Sequence, residues 1–457
     1  MRRAIALFAV LFIAAAAVFT AFNLRLDAAG SETSIVEAPL WGDPEFAGNV
    51  NIHISSLYEN RLKWDIDYIP GQKTDTDFKF YPSEQNSREM SAMWMYIYFS
   101  DNLSASASGG EFTVDSDLTP IYQVILDVAS RIPNGQTRTE KVRLRDYFEF
   151  FPISVDIAYN IASFIEEDFE KLRDFIRIPV PDDYYDEVTV STSEGGGIIG
   201  IEVSGGDSID IGAVAAFDEA GIYFTLVSSD PRYPGNFSRV PGGRGIYFIE
   251  LSNQLTIEGQ KTYDTARKHI AGIRNICPLG DDIGDIRYLG FSEDRQQLLL
   301  LTTGGEKADM FVYSRDDMEL IQRLDIPFNY GSGDSAFNLI WSGEDGIILV
   351  TSYGEFFFLA PGGDGLEIKI HSHVNVSEDT DSVYLLNRYY QSGAFDYNGE
   401  ELAVAVPISY YLDSSFALYL FDPEGIKYAG QYSTSLDMAP AGGSYNTSVS
   451  VGVSLIS

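Results

Sequence analysis

One phrase occurs four times in this chain and constrains its fold more than any other feature: an aromatic residue, a polar turn, then an apolar run leading into a hairpin. It stands as Phe217-Asp218-Glu219-Ala220-Gly221 before Ile222 to Val227, and as Phe291-Ser292-Glu293-Asp294 before Leu298 to Leu301. It returns as Trp341-Ser342-Gly343-Glu344-Asp345-Gly346 before Ile347 to Val350, and as Phe395-Asp396-Tyr397-Asn398-Gly399 before Leu402 to Val406. The copies begin 74, 50 and 54 residues apart. Each is completed by a hairpin: Met310 to Tyr313 turns through Ser314-Arg315-Asp316-Asp317 into Met318 to Leu324, and Phe356 to Leu359 turns through Pro361 to Gly365 into Leu366 to Ile370. Phe416 to Phe421 turns at Asp422-Pro423-Glu424-Gly425, and Ile246 to Leu251 at Ser252-Asn253. Gly, Asn, Asp and Pro sit where a positive or preset φ is needed, between runs rich in β-branched and aromatic residues. The pattern is a repeated strand meander.

Over roughly Ala213 to Tyr432 these residues resemble the TolB-type and WD-repeat β-propellers, in which an aromatic-Ser-Pro-Asp-Gly turn precedes a buried strand and a Tyr-rich strand follows. Here Glu219, Glu293, Gly343 and Tyr397 stand at the proline, Arg295 replaces the glycine in one copy, and no Gly-His or Trp-Asp pair marks a blade end. The resemblance implies an all-β fold, a single β-propeller of about six to eight blades given repeats of roughly 40 to 50 residues. A stack of β-sandwiches uses short strands at similar spacing and is the alternative.

Before Ala213 the repeat weakens but the texture persists. Val50 to Ile54, Leu62 to Ile69, Ala92 to Phe99, Ile121 to Ala129 and Val142 to Phe151 read as strands between polar joints such as Ser104 to Gly110. One segment breaks the β pattern. Ile157, Ile161, Phe164, Ile165, Leu172, Phe175 and Ile176 fall near helical spacing, Glu167 and Lys171 suit an i,i+4 pair, and Pro179 and Pro181 end the run. A helical insertion over about residues 157–177 is expected, packed on the propeller wall.

The N-terminus is an export signal: Arg2 and Arg3 precede an apolar run of 19 residues from Ala4 to Phe22, interrupted by Thr20 alone. That length suits a span of about 20 residues better than a removable signal of roughly 7 to 15. A cleavage site at Ala28-Ala29-Gly30 is the alternative and would yield a secreted chain. Residues 1–30 are therefore expected to form a transmembrane or signal helix with its juxtamembrane segment, and 31–457 the extracytoplasmic body.

The chain carries 31 Lys and Arg against 67 Asp and Glu, a net charge of −36. Such a surface repels nucleic acid and anionic lipid headgroups, so no nucleic-acid partner is expected. Cys277 is the one cysteine, which precludes an intramolecular disulfide and leaves stability to the core.

Candidate chemistry is sparse. His371 and His373 share a strand face and could begin a metal site with Glu378 or Asp379, yet no local spacing supplies a third ligand. Asp281-Asp282 with Asp285, Asp379 with Asp381, and Asp182-Asp183 with Asp186 bring carboxylates together without the spacing and central glycine of a calcium loop. No Gly-x-Ser-x-Gly elbow occurs, and the Gly-Gly pairs lie between strands as turns rather than phosphate cradles. Cys277, beside Pro278, has no nearby histidine to activate it. Asn102, Asn236, Asn375 and Asn446 begin Asn-x-Ser/Thr triplets. No catalytic, metal or cofactor residue is expected. The reading is a membrane-anchored, extracytoplasmic binding or scaffold module for an unknown protein or carbohydrate partner. An exported polysaccharide hydrolase or lyase using carboxylates, possibly calcium-assisted, is the alternative.

Overall fold

The computed structural model describes residues 10–21, 24, 34–58, 62–80, 93–99, 103–106, 121–159, 164, 166–205, 211–228, 240–253, 268–280, 282–292, 294–304, 307–327, 337–343, 345–351, 354–363, 365–374, 393–408, 413–437 and 448–456. It divides into two compact units, Met1–Ser87 with Tyr330–Ser457, and Arg88–Asn329. Strands dominate both, and every strand pairing is antiparallel.

In the unit Arg88–Asn329, two sheets follow the phrase directly. Sheet A orders Ile211–Phe217, Gly221–Ser228, Gly245–Asn253 and Lys268–Pro278 as in the chain, and sheet B does the same with Asp285–Phe291, Gln297–Gly304, Lys307–Ser314 and Leu320–Pro327. The second strand of each is apolar on both faces because it is central and packed on both sides; Leu298 to Leu301 are all buried. The turn between the first two strands of sheet A is an Asx turn: Asp218 Oδ1 accepts from Ala220 N–H at 2.7 Å and Gly221 N–H at 3.0 Å. Asp218 Oδ2 also meets Arg315 Nη2 at 2.5 Å, tying the turn of sheet A to a hairpin of sheet B, and the Arg315 guanidinium lies 5.7 Å from the Phe291 ring centre. Gly221 has to be glycine, since a Cβ there would lie 2.1 Å from Ile249 O.

The earlier part of this unit departs from the meander. Sheet C has the order Leu103–Ser106, Ile198–Gly205, Tyr185–Thr192, Thr137–Arg143, and Met93–Tyr98 pairs with Ser154–Tyr159 as a two-stranded ribbon. Three expectations need correction. Ile121 to Ala129 is not a strand: helix α1 occupies Tyr122–Ser130, burying Val124, Ile125 and Val128 on one face. An apolar run of that length suits either state, and the i, i+1, i+4 placement of its buried residues decides for the helix. Val142 to Phe151 is a strand only to Arg143, after which Leu144–Asp146 forms a 3-10 turn. The helical insertion is shorter than residues 157–177, because Ile157 is a buried strand residue and helix α2 runs Glu166–Phe175. Its Glu167–Lys171 pair is present at 3.8 Å.

The unit Met1–Ser87 with Tyr330–Ser457 holds three sheets. Sheet D is Phe337–Gly343, Gly346–Thr351, Glu355–Pro361 and Leu366–His373; sheet E is Ala394–Tyr397, Leu402–Pro407, Asp413–Asp422 and Gly425–Asp437, with Ile35–Gly42 added to its last strand. Sheet F joins the two ends of the chain, since Ser448–Leu455 pairs with Val50–Tyr58, which continues into Leu62–Tyr68 and Asp75–Phe80. The repeated aromatics join sheets D and E: Trp341 and Phe395 meet edge to face at 4.9 Å, and Phe358 meets Tyr397 in the same way at 4.9 Å. Aspartates of the phrase cross between neighbouring strands here too: Asp345 Oδ2 accepts from Tyr397 N–H at 3.3 Å, and Asp396 Oδ2 from Leu455 N–H at 2.6 Å.

Residues 10–21 are helical, and among the described residues no helix is long and apolar enough to cross a membrane. The rest of the apolar run Ala4 to Phe22 lies outside the described residues.

Candidate functional site: an aromatic groove beside helix α2

A groove of about 700 Å³ opens in the unit Arg88–Asn329, between the Met93–Tyr98/Ser154–Tyr159 ribbon and helix α2. Period-two alternation builds its ribbon wall. Met95, Ile97 and Ile157 are buried in the core, while Tyr96 and Asp156, directly paired across the ribbon, both line the groove. Tyr96 is 47% exposed and stacks on Tyr98 at 5.4 Å, so its ring is held in place while a face stays open. Partial desolvation, with Tyr98 alongside, raises the Tyr96 phenol above its ordinary range, which keeps it an uncharged hydroxyl at neutral pH.

The floor is the chain entering the ribbon. Phe151 N–H donates to Ile178 O at 2.9 Å and Val180 N–H to Glu149 O at 3.1 Å, fixing Phe150 to Ile153 alongside the segment that leaves α2. Phe151 packs between Phe99 at 4.8 Å and Tyr184 at 5.5 Å, and with Ile153 and Ile176 it gives the groove an apolar base.

Helix α2 is the other wall. Glu166, Glu167 and Asp168 occupy its first turn and Arg173 its last, each charge on the favourable end of the helix dipole. Glu166, Phe169 and Arg173 line the groove, and Arg173 Nη2 is hydrogen-bonded to Glu166 Oε1. Arg177 lies over the Phe150 ring at 5.5 Å. The helix is pinned from behind by Asp168, whose side chain is 0% exposed. Its Oδ1 accepts from Ile270 N–H at 3.1 Å and Lys171 Nζ at 3.3 Å, and its Oδ2 lies 3.2 Å from His269 Nδ1. Leu172 is fully buried beside it, and Phe175 meets Tyr247 edge to face at 5.5 Å. The groove thus combines a fixed aromatic face, carboxylates and a guanidinium within one concave surface, the usual makeup of a small-ligand site.

The residues singled out from sequence lie elsewhere. His371 and His373 are exposed on the last strand of sheet D, with the His371 ring stacked on Phe357 at 4.4 Å and its Nε2 3.9 Å from Glu355 Oε1. Glu378, Asp379, Asp381 and Asp281 lie outside the described residues, as do Asn102, Asn236, Asn375 and Asn446. Asp282 is near Arg323 at 3.9 Å and Asp285 near Arg287 at 3.9 Å. Asp182 pairs with Arg143 at 3.2 Å, Asp183 is exposed and Asp186 is buried. Among the described residues no three His, Cys, Asp or Glu side chains gather where a metal ion could be held. Cys277 is a buried thiol whose pKa is raised by burial.

Sequence reasoning missed the groove itself. Its side chains come from residues 96, 150–156 and 166–176, and the one local trace of it is the helical spacing that flagged α2.

No protein-family model matches the chain, and no curated protein matches it. Similar solved structures include TolB from Acinetobacter baumannii, 12% identical, covering 59% of this chain and 62% of that one at a TM-score of 0.20. The β-propeller domain of the Trilobed protease from Pyrococcus furiosus is 12% identical and covers 54% and 67% at a TM-score of 0.22. Apo AztD from Citrobacter koseri is 9% identical and covers 92% and 98% at a TM-score of 0.26. At such scores these likenesses carry no weight for site or activity; the strand order within sheets A, B, D and E is this chain's own evidence of propeller-type meanders.

Proposed function

We propose that this chain is a membrane-anchored, extracytoplasmic binding module whose four-stranded sheets are blades of one β-propeller, and that its ligand is held, without turnover, in the groove beside α2. The groove carries the reading: a concave surface of about 700 Å³ with an open, fixed Tyr96 ring and flanking Asp156, Glu166 and Arg173 falls in the size and makeup range of ligand sites. The basic start and apolar run Ala4 to Phe22 support an anchor, and the acidic balance suits an exported, soluble body.

The test uses the full chain in lipid nanodiscs, titrated against washed insoluble cell-envelope fragments. Saturable binding is expected, weakened roughly tenfold or more by Tyr96→Ala and by Asp156→Ala. Wild-type affinity in both variants would remove the groove from the function.

A hydrolase is the second reading, favoured by the presence of Asp156 and Glu166 in one groove, the pair that glycoside cleavage needs. It requires soluble sugar fragments with new reducing ends to accumulate from the same envelope material, and none are expected.

A further inference from the structure

Resting on that reading, we infer that the groove takes a neutral saccharide chain, one sugar ring lying on the Tyr96 face while its hydroxyls bridge Asp156, Glu166 and Arg173. The argument is one of chemical matching. A carboxylate only accepts hydrogen bonds and a guanidinium only donates, so a ligand that satisfies both must carry groups that do both, which a hydroxyl does. Arg173 meets Glu166 through Nη2, and a guanidinium has five N–H donors in a fixed fork, so it can reach a ligand oxygen while keeping that pair. A sugar ring presents hydroxyls around its edge and C–H bonds on its face. The C–H face carries partial positive charge and complements the negative face of an aromatic ring.

Rigidity strengthens the case. Tyr96 has few torsions and is stacked on Tyr98, so little side-chain entropy is lost when a ring covers it. The in-register partner of Tyr96 is Asp156, which places an acceptor at the rim of the platform where an equatorial hydroxyl projects.

Other ligand classes fit less well. A polyanion meets Asp156 and Glu166 on a chain of net charge −36. A cationic peptide meets Arg173 in the lining and Arg177 over Phe150. An acyl chain would leave three charged side chains desolvated without partners.

The experiment has two arms on the full chain in nanodiscs. In the first, calorimetric titration with neutral oligosaccharides (cello-, malto-, manno- and chito-hexaoses) is set against polygalacturonate and a lysine hexapeptide. At least one neutral hexaose is expected to bind, roughly tenfold more weakly to Tyr96→Ala and within about twofold of wild type to Tyr96→Trp, which keeps the stacking face and shows that the fold survives. In the second, envelope fragments are treated with periodate, which cleaves vicinal diols, or with protease. Loss of binding after periodate supports the saccharide. Binding by the hexapeptide alone, or binding lost to protease and untouched by periodate, overturns the saccharide while leaving a groove-dependent module standing. If envelope binding ignores the groove variants, the parent reading fails as well.

Discussion

Replacing Asp168 with alanine probes how one buried side chain sets the position of the groove wall. The carboxylate is fully buried and accepts from Ile270 N–H, Lys171 Nζ and His269. The cost of its loss is unequal among these partners. Lys171 is 43% and His269 23% exposed, so both can turn to water, whereas the Ile270 amide is left as an orphan donor in the interior. An unsatisfied buried donor costs about 1–3 kcal/mol, and a hydrogen bond to a charged acceptor contributes about 1.5–3 kcal/mol, two measures that overlap in part. A net loss of about 2–4 kcal/mol follows, equivalent to a fall of roughly 4–16 °C in the melting temperature of a unit this size. Asp168→Asn keeps an oxygen for Ile270 and should lose about half as much. Because Leu172 still packs in the core, the helix should loosen rather than unfold. Hydrogen exchange should therefore speed up across Glu166–Phe175 and Lys268–Pro278 while sheet B keeps its protection. Groove binding should weaken with it, since Glu166, Phe169 and Arg173 all ride on α2. A stability change below about 0.5 kcal/mol with unaltered exchange on the helix would refute the reasoning.

Three further perturbations test the surrounding physics. Arg315→Met leaves the 2%-exposed Asp218 side chain without its countercharge and should cost about 3–5 kcal/mol, more than Asp218→Asn; the double variant should recover part of the loss, and strict additivity in urea unfolding would contradict the pair. Asp309 is held below the usual carboxylate range chiefly by its Arg323 hydrogen bonds at 3.1 and 2.8 Å, and Asp65, against its own burial, by hydrogen bonds from Lys63 and Ser55. Both folded pKa values lie below the unfolded value of about 3.9, so their stabilisation is complete well above that pH and is lost as pH falls through the folded values. Melting temperatures should thus drop below about pH 4, less steeply in Arg323→Gln; equal slopes in the two proteins would count against the assignment. If Ala4 to Phe22 is retained as an anchor, the mature protein keeps its original N-terminus and pellets with membranes through a high-salt wash; a soluble product beginning at Ser31 would overturn the anchor.

The chain's local order was open to sequence reasoning because hairpin pairing follows from neighbours along the chain. The aromatic-turn-strand phrase correctly located sheets A, B, D and E, since turn chemistry and two-residue alternation act over a few residues. The apolar run at Ile121 to Ala129 was ambiguous for the same reason. Period alone does not separate a short buried strand from a short buried helix, and the face that packs on the core decided for α1. Long-range pairings were of another kind. Ser448–Leu455 seating against Val50–Tyr58, Ile35–Gly42 joining the edge of sheet E, and Asp168 reaching the Ile270 amide across 102 residues leave no local signature. Such contacts form only when loop-closure entropy is outweighed by burial summed over a whole unit. The groove belongs with them: a tyrosine, a strand edge and a helix far apart in sequence become one surface only after tertiary packing sets the helix against the ribbon.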